Sequence, residues 1–482
     1  MAIANGAAPV VTDPALTVEV LAGLKKAAKF FAEEVATEGG YVYQYSADLQ
    51  RREGELPASA TTIWVQPPGT PTVGLALLHA WEATGDEFYL AAAQRAGQSL
   101  VRGQLLSGGW DYEINFDPAD RARKAYRVAP NNSQGMNVAT LDDNTTQEAL
   151  RFLMRLDRAL AAHGKPTSAI REAVDFCLAS LLAAEYPNGA WPQRYSQPPD
   201  AEKFPILPAS YPKTWDREWP GTQNKYKYTG HYTFNDNAQN DVIEALLEAG
   251  RLYEEPKFTA AAEKGGDFII QAQMPEPQPA WAQQYDAEMH PAWARKFEPP
   301  AVTGGESVSV LRTLLTLYRE TGKAKYLEPI PPALAYLQAS RMPDGQLARF
   351  YELQTNKPLY VTRDYQLTYS DADMPTHYSF KMNSDGLDRI RRDYERLRAT
   401  PPEQLGQRGP SKPSSPTKET ISRAKAALAS LDDRGRWLDK GRLKMPAGPS
   451  AEEPIIRCAT FAKNVNAFCD YLIAAQASGG TK

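Results

Sequence analysis

Two acidic stretches stand directly before helical patterns and offer oxygen atoms for chemistry. LDDNTTQEALRF contains Asp142 and Asp143, and FNDNAQNDVIEALL contains Asn235 and Asp236. Either stretch alone is explained by helix capping and by the favourable interaction of carboxylates with a helix N-terminus. Two such stretches on one face of a fold also fit a shared Ca²⁺ site, because calcium prefers oxygen ligands. They equally fit the acid and the base of an inverting glycosidase that face each other across a cleft.

A group of cationic residues follows in the second half of the chain. They are Arg295 in AWARKFEPPAVTGGESV, and Arg349, Lys357 and Arg363 in ARFYELQTNKPLYVTRD. Each arginine alone could be a surface residue that pairs with a nearby carboxylate, the candidates being Glu298, Glu352 and Asp364. Three arginines on loops of one face favour a ligand with several carboxylates, because a guanidinium group binds a carboxylate through two parallel hydrogen bonds.

The composition and the absence of other motifs exclude several classes of function. The 482 residues carry a net charge of −4, so there is no basic excess for nucleic acid. No apolar run reaches the length of a transmembrane helix. The five histidines show no HxxH or HExxH spacing, which disfavours zinc chemistry, and the sequence has no GxSxG motif and no Walker loop. We therefore expect neither nucleic acid nor a membrane as partner.

A repeated turn divides the chain into similar lengths. Each copy has turn-forming residues and then an anchor position, and the anchors are Tyr41, Trp110, Trp191, Trp281 and Gln346. Between the copies lie pairs of helical patterns, in which apolar residues recur at intervals of three and four. As anchors the tryptophans are expected in the core, although they could also stack on sugar rings.

The repeat predicts the fold class. A helical hairpin with a tight turn at one end and a long loop at the other, repeated four to six times, gives an all-α fold. We predict an α/α toroid, or incomplete α/α barrel, rather than a solenoid, whose periods are shorter and more regular. The aromatic loops should then lie on one face and carry the functional residues.

Composition also suggests the domain organisation. We predict a disordered N-terminal segment at 1–14, an α/α-toroid catalytic domain at 15–395, and a Pro/Ser/Lys-rich excursion with a short helix at 396–450. Residues 451–482 would form the helix that closes the ring, followed by a tail. The aperiodic stretch 196–230 should form one wall of a cleft.

Four motifs in this order resemble the pectate lyases of polysaccharide lyase family 10. ATLDDNTTQEALRFL, HYTFNDNA, AWARKFEPPAVTGGESV and ARFYELQTNKPLYVTRD are similar to family motifs, and the resemblance spans roughly residues 100–370. It implies an α/α-toroid enzyme that uses Ca²⁺ to cleave polygalacturonate by β-elimination. The first motif is one residue shorter than in the family, so Asp142 and Asp143 both stay candidates for its metal ligand.

The resemblance also implies roles for individual residues. Arg295 would be the catalytic base, and Arg349 and Arg363 would hold substrate carboxylates. Calcium would be held by Asp236 with Asp142 or Asp143. We expect further substrate contacts from Lys357, Trp191 and Asn235. An arginine with its ordinary pKa above about 12 is protonated at neutral pH, so a base role requires that cation crowding and desolvation lower the pKa of Arg295.

The sequence thus predicts a calcium-dependent pectate lyase that acts as a monomer on polyuronate chains. The alternatives are a toroidal inverting glycoside hydrolase that uses an aspartate pair, and a non-catalytic polyuronate-binding relative. MAIANGAAPVV lacks a charged segment followed by an apolar one, so it is no signal peptide as written and fits either a cytosolic start or a start from which a signal was removed. We expect an extracellular or periplasmic protein, with the signal peptide absent from this sequence.

Overall fold

The computed structural model describes residues 13–130, 132–221, 228–406, 415–445, 448–449 and 451–479. About half of the chain is helical and little of it is sheet. The predicted fold class is confirmed, since the chain has an all-α fold of the α/α-toroid class built from helical hairpins. Almost all of the segment 1–14 lies outside the described residues, and the first helix begins at Pro14.

The α-helices are α1 (Pro14–Phe30), α2 (Thr70–Thr84), α3 (Glu87–Gly103), α4 (Pro118–Arg121), α5 (Thr145–Ala162), α6 (Ser168–Ala184), α7 (Ala238–Tyr253), α8 (Pro256–Gln271), α9 (Gly305–Thr321), α10 (Ile330–Ala339), α11 (Gly386–Ala399), α12 (Lys418–Ala429) and α13 (Cys458–Gly479). Short 3₁₀ turns at Asp142–Asn144 and Asn235–Asn237 precede α5 and α7. No helix of the described residues is both long and apolar enough to cross a membrane.

The strands are short and lie in the loops between helices. They are β1 (Gln44–Ser46), β2 (Arg52–Glu53), β3 (Thr62–Trp64), β4 (Glu113–Asn115), β5 (Ala139–Thr140), β6 (Arg194–Tyr195), β7 (Tyr232–Thr233), β8 (Gln284–Tyr285), β9 (Ala301–Thr303), β10 (Leu347–Ala348), β11 (Phe350–Glu352), β12 (Pro358–Val361), β13 (Leu367–Thr368), β14 (Lys381–Met382), β15 (Leu438–Gly441), β16 (Lys444–Met445), β17 (Gly448–Pro449) and β18 (Glu453–Arg457).

The chain divides into two compact units, the first formed by residues 1–137, 148–176 and 408–482. In this unit α2 and α3 form a hairpin, and α13 packs against α1, α2 and α12. Strand β18 pairs antiparallel with β1, which places Ile456 opposite Tyr45. The C-terminal helix therefore packs in the same unit as the first helices of the chain.

The second unit comprises residues 138–147 and 177–407. Here α7 and α8 form a hairpin, α9 packs on both of them, and α11 packs on α9 and α10. Antiparallel strand pairs link the loops, namely β5 with β6, β7 with β8, and β9 with β11. A buried apolar cluster that includes Ala301, Phe350 and Phe380 supports the loop strands.

The prediction that the three tryptophan anchors occupy equivalent positions in their hairpins is confirmed by their hydrogen bonds. In each case the indole N–H donates a 2.8 Å hydrogen bond to a carbonyl in the last turn of the preceding helix, the pairs being Trp110 with Leu100, Trp191 with Leu181, and Trp281 with Ile269. All three side chains are fully buried. The anchors thus fasten each loop to the end of the helix that precedes it.

Two details of the repeat differ from the sequence-based expectation. The fifth anchor is the buried Leu347 rather than Gln346, because Gln346 accepts the turn hydrogen bond from Met342 N just as Gly109 accepts one from Leu105 N. A further copy, which the sequence reading missed, is anchored by Trp437 through a 2.9 Å bond to a helix carbonyl. Its signal is the turn-plus-tryptophan run DDRGRW.

A glycine in the third turn is required by both its conformation and its surroundings. Gly189 has φ +93, and a Cβ there would lie 2.2 Å from the Lys264 carbonyl oxygen. We predict that Gly189→Ala lowers the free energy of unfolding by more than about 2 kcal/mol, because strain and overlap add. Gly164→Ala is the control, since Gly164 has φ +64 but no described atom lies within 4 Å of its Cβ position. It should cost only about 1 kcal/mol. Urea unfolding measures both losses, and equal losses would show that the Lys264 contact is unimportant.

Candidate active site

Two acidic loops of the second unit have the same backbone conformation. Asp143 (φ 49, ψ 36) and Asp236 (φ 46, ψ 35) both adopt the left-handed region. In each loop a threonine hydroxyl accepts the backbone N–H two residues later, at 3.2 Å for Thr140 and 3.1 Å for Thr233. Left-handed backbone is uncommon outside glycine, and aspartate and asparagine tolerate it best. Asp143 and Asp236 thus occupy equivalent positions in two loops of the same conformation.

These loops bring three carboxylates together. One oxygen of each of Asp142, Asp143 and Asp236 lies within 4.8 Å of the others. The Asn235 amide donates to Asp236 and, at 3.5 Å, to Asp142. The structure therefore places both Asp142 and Asp143 beside Asp236.

Burial and mutual repulsion make this cluster costly without a counter-charge. The pKa of Asp236 is raised to about 6, chiefly by burial and then by the negative charge of Asp142, while Arg349 and Arg295 oppose the shift. The same balance shows that both arginines lie within electrostatic reach of the Asp236 carboxylate.

The cluster fits a hard divalent cation. Its donors are carboxylate oxygens, which calcium prefers. The buried Oδ1 of Asn235 has no hydrogen-bond partner among the described residues. Asp142, Asp143 and Asp236 could therefore hold Ca²⁺, and the Asn235 carbonyl is a fourth oxygen beside them.

Arg295 forms a bidentate ion pair with a buried glutamate. Its Nε and Nη2 donate to the two carboxylate oxygens of Glu298 at 2.9 and 2.6 Å, and its backbone N–H donates at 3.0 Å. Burial alone would lower the pKa of Arg295, but Glu298 outweighs it and the pKa is raised. The expectation of a lowered pKa is therefore wrong for this state, because its surroundings supply an anion rather than additional cations.

A tyrosine from a distant segment lies near both the buried Arg349 and the partly exposed Arg295. The Tyr378 ring lies 4.3 Å from the guanidinium carbon of Arg349 and 5.7 Å from that of Arg295. Its hydroxyl donates to Glu298 at 2.9 Å. Arg349 in turn donates to Glu306 at 2.7 Å, instead of pairing with Glu352. Tyr378 thus connects both ion pairs.

The remaining sequence-predicted residues lie in other surroundings. Arg363 is largely exposed and pairs with Asp373 at 3.3 Å, not with Asp364. Lys357 is exposed, with its Nζ 5.2 Å from the centroid of the Tyr369 ring. Trp191 is only 1% exposed, so the prediction that it contacts substrate is wrong, and its large apolar surface stabilises the core instead.

Sequence reasoning missed Gln193 and Gln283, whose side chains support the site, although the repeat contained a signal for them. Gln193, Gln283 and Arg349 each stand two residues after an anchor. Their backbone carbonyls accept the N–H groups of Leu141, Phe234 and Gly304 at 2.8, 2.8 and 3.1 Å. Gln193 Nε2 donates to Asp142 at 2.9 Å. This position therefore delivers a side chain to the site in three successive repeats.

Calcium should stabilise the folded protein through this cluster. We predict that Ca²⁺ raises the Tm of metal-free protein, because a ligand bound only by the folded state adds to its stability. Asp236→Asn should abolish most of the rise, whereas Asp267→Asn, at a half-exposed aspartate paired with Lys325, should not. The rise should be smaller at pH 5 than at pH 8, because a proton competes for Asp236, whose pKa is about 6. Calorimetry measures the Tm of each variant with and without Ca²⁺. An equal rise of the Tm in both variants would contradict the assignment of Asp236 as a calcium ligand.

No curated protein sequence matches the chain. Among solved structures, a family 10 polysaccharide lyase from Cellvibrio cellulosa, an aspartate mutant in complex with trigalacturonic acid, is 22% identical with a TM-score of 0.46. That alignment covers 68% of this chain and 98% of the other. An α-mannanase of glycoside hydrolase family 76 from Bacteroides thetaiotaomicron is 11% identical, with a TM-score of 0.42 and 96% of each chain covered.

The family is shown by the sequence itself. The sequence model of the pectic acid lyases matches residues 104–347, half of the chain. This range includes both acidic loops and the Arg295 ion pair. The chain therefore belongs to the pectic acid lyase family of polysaccharide lyases.

Proposed function

We propose that this protein cleaves polygalacturonate by calcium-assisted β-elimination and releases 4,5-unsaturated oligogalacturonides. The observation that carries the proposal is that three aspartates form a cluster within electrostatic reach of Arg295 and Arg349. Together with the membership of the pectic acid lyase family, this supports a polyuronate as substrate. A polymer of this kind is met outside the cytoplasm, so we also propose extracellular or periplasmic action, as a monomer.

The reaction needs one proton acceptor and a neutralised carboxylate. Arg295 takes the proton from C5 of the uronate, the electron pair forms the C4–C5 double bond, and the bond from C4 to the glycosidic oxygen breaks. The departing oxygen takes a proton from water. Nε and Nη2 of Arg295 are held by Glu298, and Nη1 has no hydrogen bond to the described residues, so Nη1 is the nitrogen proposed to meet C5.

The side chains of the site have distinct proposed tasks. Asp142, Asp143 and Asp236 would hold Ca²⁺, and its positive charge would neutralise the uronate carboxylate and so acidify C5. Arg349, which is paired with Glu306 and lies 4.3 Å from the Tyr378 ring, is proposed to add to that positive field. Glu298 and Tyr378 hold the Arg295 guanidinium in one orientation. Arg363 and Lys357 are proposed to bind carboxylates further along the chain.

The raised pKa of Arg295 has a consequence for the pH dependence. The base must be neutral, and the Glu298 pair favours the protonated form. The neutral fraction therefore increases with pH, and turnover should rise throughout the alkaline range without levelling off near neutrality.

The carboxylate spacing disfavours the hydrolase alternative. Inverting glycosidases keep their two carboxyl groups about 6.5–9.5 Å apart to leave room for a water molecule. Here the oxygens of Asp142, Asp143 and Asp236 approach within 4.8 Å of one another, which suits a shared cation better.

Ultraviolet absorbance of the product distinguishes the three readings. Elimination creates an absorbing double bond at the new end, hydrolysis creates a reducing end without it, and a binding protein releases neither. We expect absorbance to grow on polygalacturonate with Ca²⁺ and to stop with excess chelator. Reducing ends that form without absorbance would contradict the proposal, and so would binding without any product.

The role of Arg295 can be separated from simple binding. Arg295→Lys should lower kcat by at least about 100-fold, because lysine keeps the charge but cannot reproduce the two bonds to Glu298 or place a nitrogen where Nη1 lies. Affinity for oligogalacturonate, measured by calorimetry, should fall much less, since Arg349 and calcium would still act on carboxylates. Arg389→Lys, at an exposed position on α11, is the control. Substantial turnover in Arg295→Lys would reduce Arg295 to a substrate-binding residue.

A further inference from the structure

The long loop before the second acidic stretch is attached to β11 by one buried carboxylate. Glu352, only 5% exposed, forms an ion pair with Arg217. The same carboxylate accepts hydrogen bonds from the Tyr369 hydroxyl at 2.8 Å and from the Thr355 hydroxyl. The two segments that carry Arg217 and Tyr369 are thereby held at Glu352.

This attachment leaves a patch of cations and aromatic rings facing solvent. The guanidinium carbon of Arg217 lies 5.1 Å from the Trp215 ring centroid and 5.9 Å from that of Tyr369. The Lys357 Nζ lies 5.2 Å from the same Tyr369 ring. The Arg217 side chain is 50% exposed and Tyr369 is 49% exposed. We call these four residues, Trp215, Arg217, Lys357 and Tyr369, the Tyr369 patch.

The Tyr369 patch is connected to the candidate active site through β11. Arg349 stands just before this strand and Glu352 is its last residue. Three residues of extended chain span about 10 Å, which is within the reach of a short oligosaccharide. Trp215 and Tyr378 also pack on the same buried apolar cluster, so the patch and the Arg295 surroundings share one rigid support.

We propose that the Tyr369 patch is a distal subsite that binds uronate units remote from the bond that is cleaved. This inference rests on the proposed function. Aromatic rings offer flat apolar faces for the C–H faces of sugar rings, and cations beside them select sugars that carry carboxylates. Glu352 already fixes the Arg217 guanidinium, so little side-chain freedom is lost on binding. The patch therefore favours longer polyuronate chains over short ones.

The competing interpretation is that Arg217 only fastens its loop. In that case the charge of Arg217 matters for stability, substrate length is irrelevant, and Lys357, which is exposed, contributes nothing. A subsite predicts that substitution of Arg217 or of Lys357 lowers activity more on long chains than on short ones. A purely structural contact predicts no such dependence on chain length.

The experiment compares trigalacturonate with hexagalacturonate for wild type, Arg217→Gln, Lys357→Gln and the double variant. We expect kcat/KM on the hexamer to fall about tenfold in the double variant, with a smaller loss in each single one, while kcat/KM on the trimer changes little. The loss of kcat/KM on the hexamer should be smaller at high salt, because salt screens the attraction between the wild-type cations and the substrate carboxylates. Arg389→Gln, at an exposed arginine of α11, should change neither substrate.

Equal losses on trimer and hexamer, or no loss on either, would overturn the subsite. A lowered Tm with equal losses would identify Arg217 as a structural contact and also overturn it. Lys357→Gln gives an independent reading if Arg217→Gln does not fold. If the wild-type protein releases no unsaturated product from either substrate, the proposed function itself is overturned. If the wild-type protein does release this product but the losses in the variants do not depend on chain length, only the subsite is overturned.

Discussion

Buried charge is the constraint on which the rest of this site depends. Asp142, Asp236 and Glu298 are removed from water to different degrees, and each must meet a cation or an amide to stay ionised. Arg295 meets this need for Glu298 by a bidentate pair that orients both side chains. In the aspartate cluster the pKa of Asp236 is raised, chiefly by burial and then by the negative charge of Asp142. A divalent cation would offset the negative charge of Asp142 and favour the ionised form of Asp236.

The helical hairpins support this charge arrangement because the same position of successive repeats places a side chain at the site. After Trp191 and Trp281 the buried anchor fixes the turn to the preceding helix, and a short strand pair joins the loop to the segment before the first helix of the same hairpin. Gln193 and Gln283, two positions after their anchors, lie at that junction, and Arg349 has the corresponding place after Leu347. Gln193, Gln283 and Arg349 use it for different chemistry, because the backbone geometry is repeated while the side chain is not.

Loops outside the repeated turns add further side chains around the site. Tyr378 comes from a segment after the last matched motif, yet its hydroxyl and ring contact Glu298, Arg295 and Arg349. The long loop that carries Trp215 is fastened by Glu352 at the other end of the same strand. Both loops pack on one apolar cluster, so a rigid support underlies polar groups from widely separated parts of the chain.

The sequence by itself determined what local patterns encode. Helix periodicity and turn residues predicted the hairpins, the two acidic loops were recognisable because capping residues precede α5 and α7, and the loop arginines stood out by type. These features depend on residues a few positions apart. The position of the fifth anchor was wrong by one residue, since Leu347 is selected by backbone hydrogen bonds that composition does not reveal.

Only the tertiary structure decided which charges meet. Glu306 pairs with Arg349 across 43 positions, and Tyr378 reaches Glu298 across 80. Such contacts depend on how hairpins pack, and many sequence-neighbouring carboxylates are equally plausible partners beforehand. The direction of the pKa shift at Arg295 follows from Glu298 being buried beside it, and Trp191 is excluded from binding because its ring is enclosed on all sides. The physical reason is that burial and electrostatics are properties of the packed surroundings, whereas the sequence specifies only the groups that can be placed there.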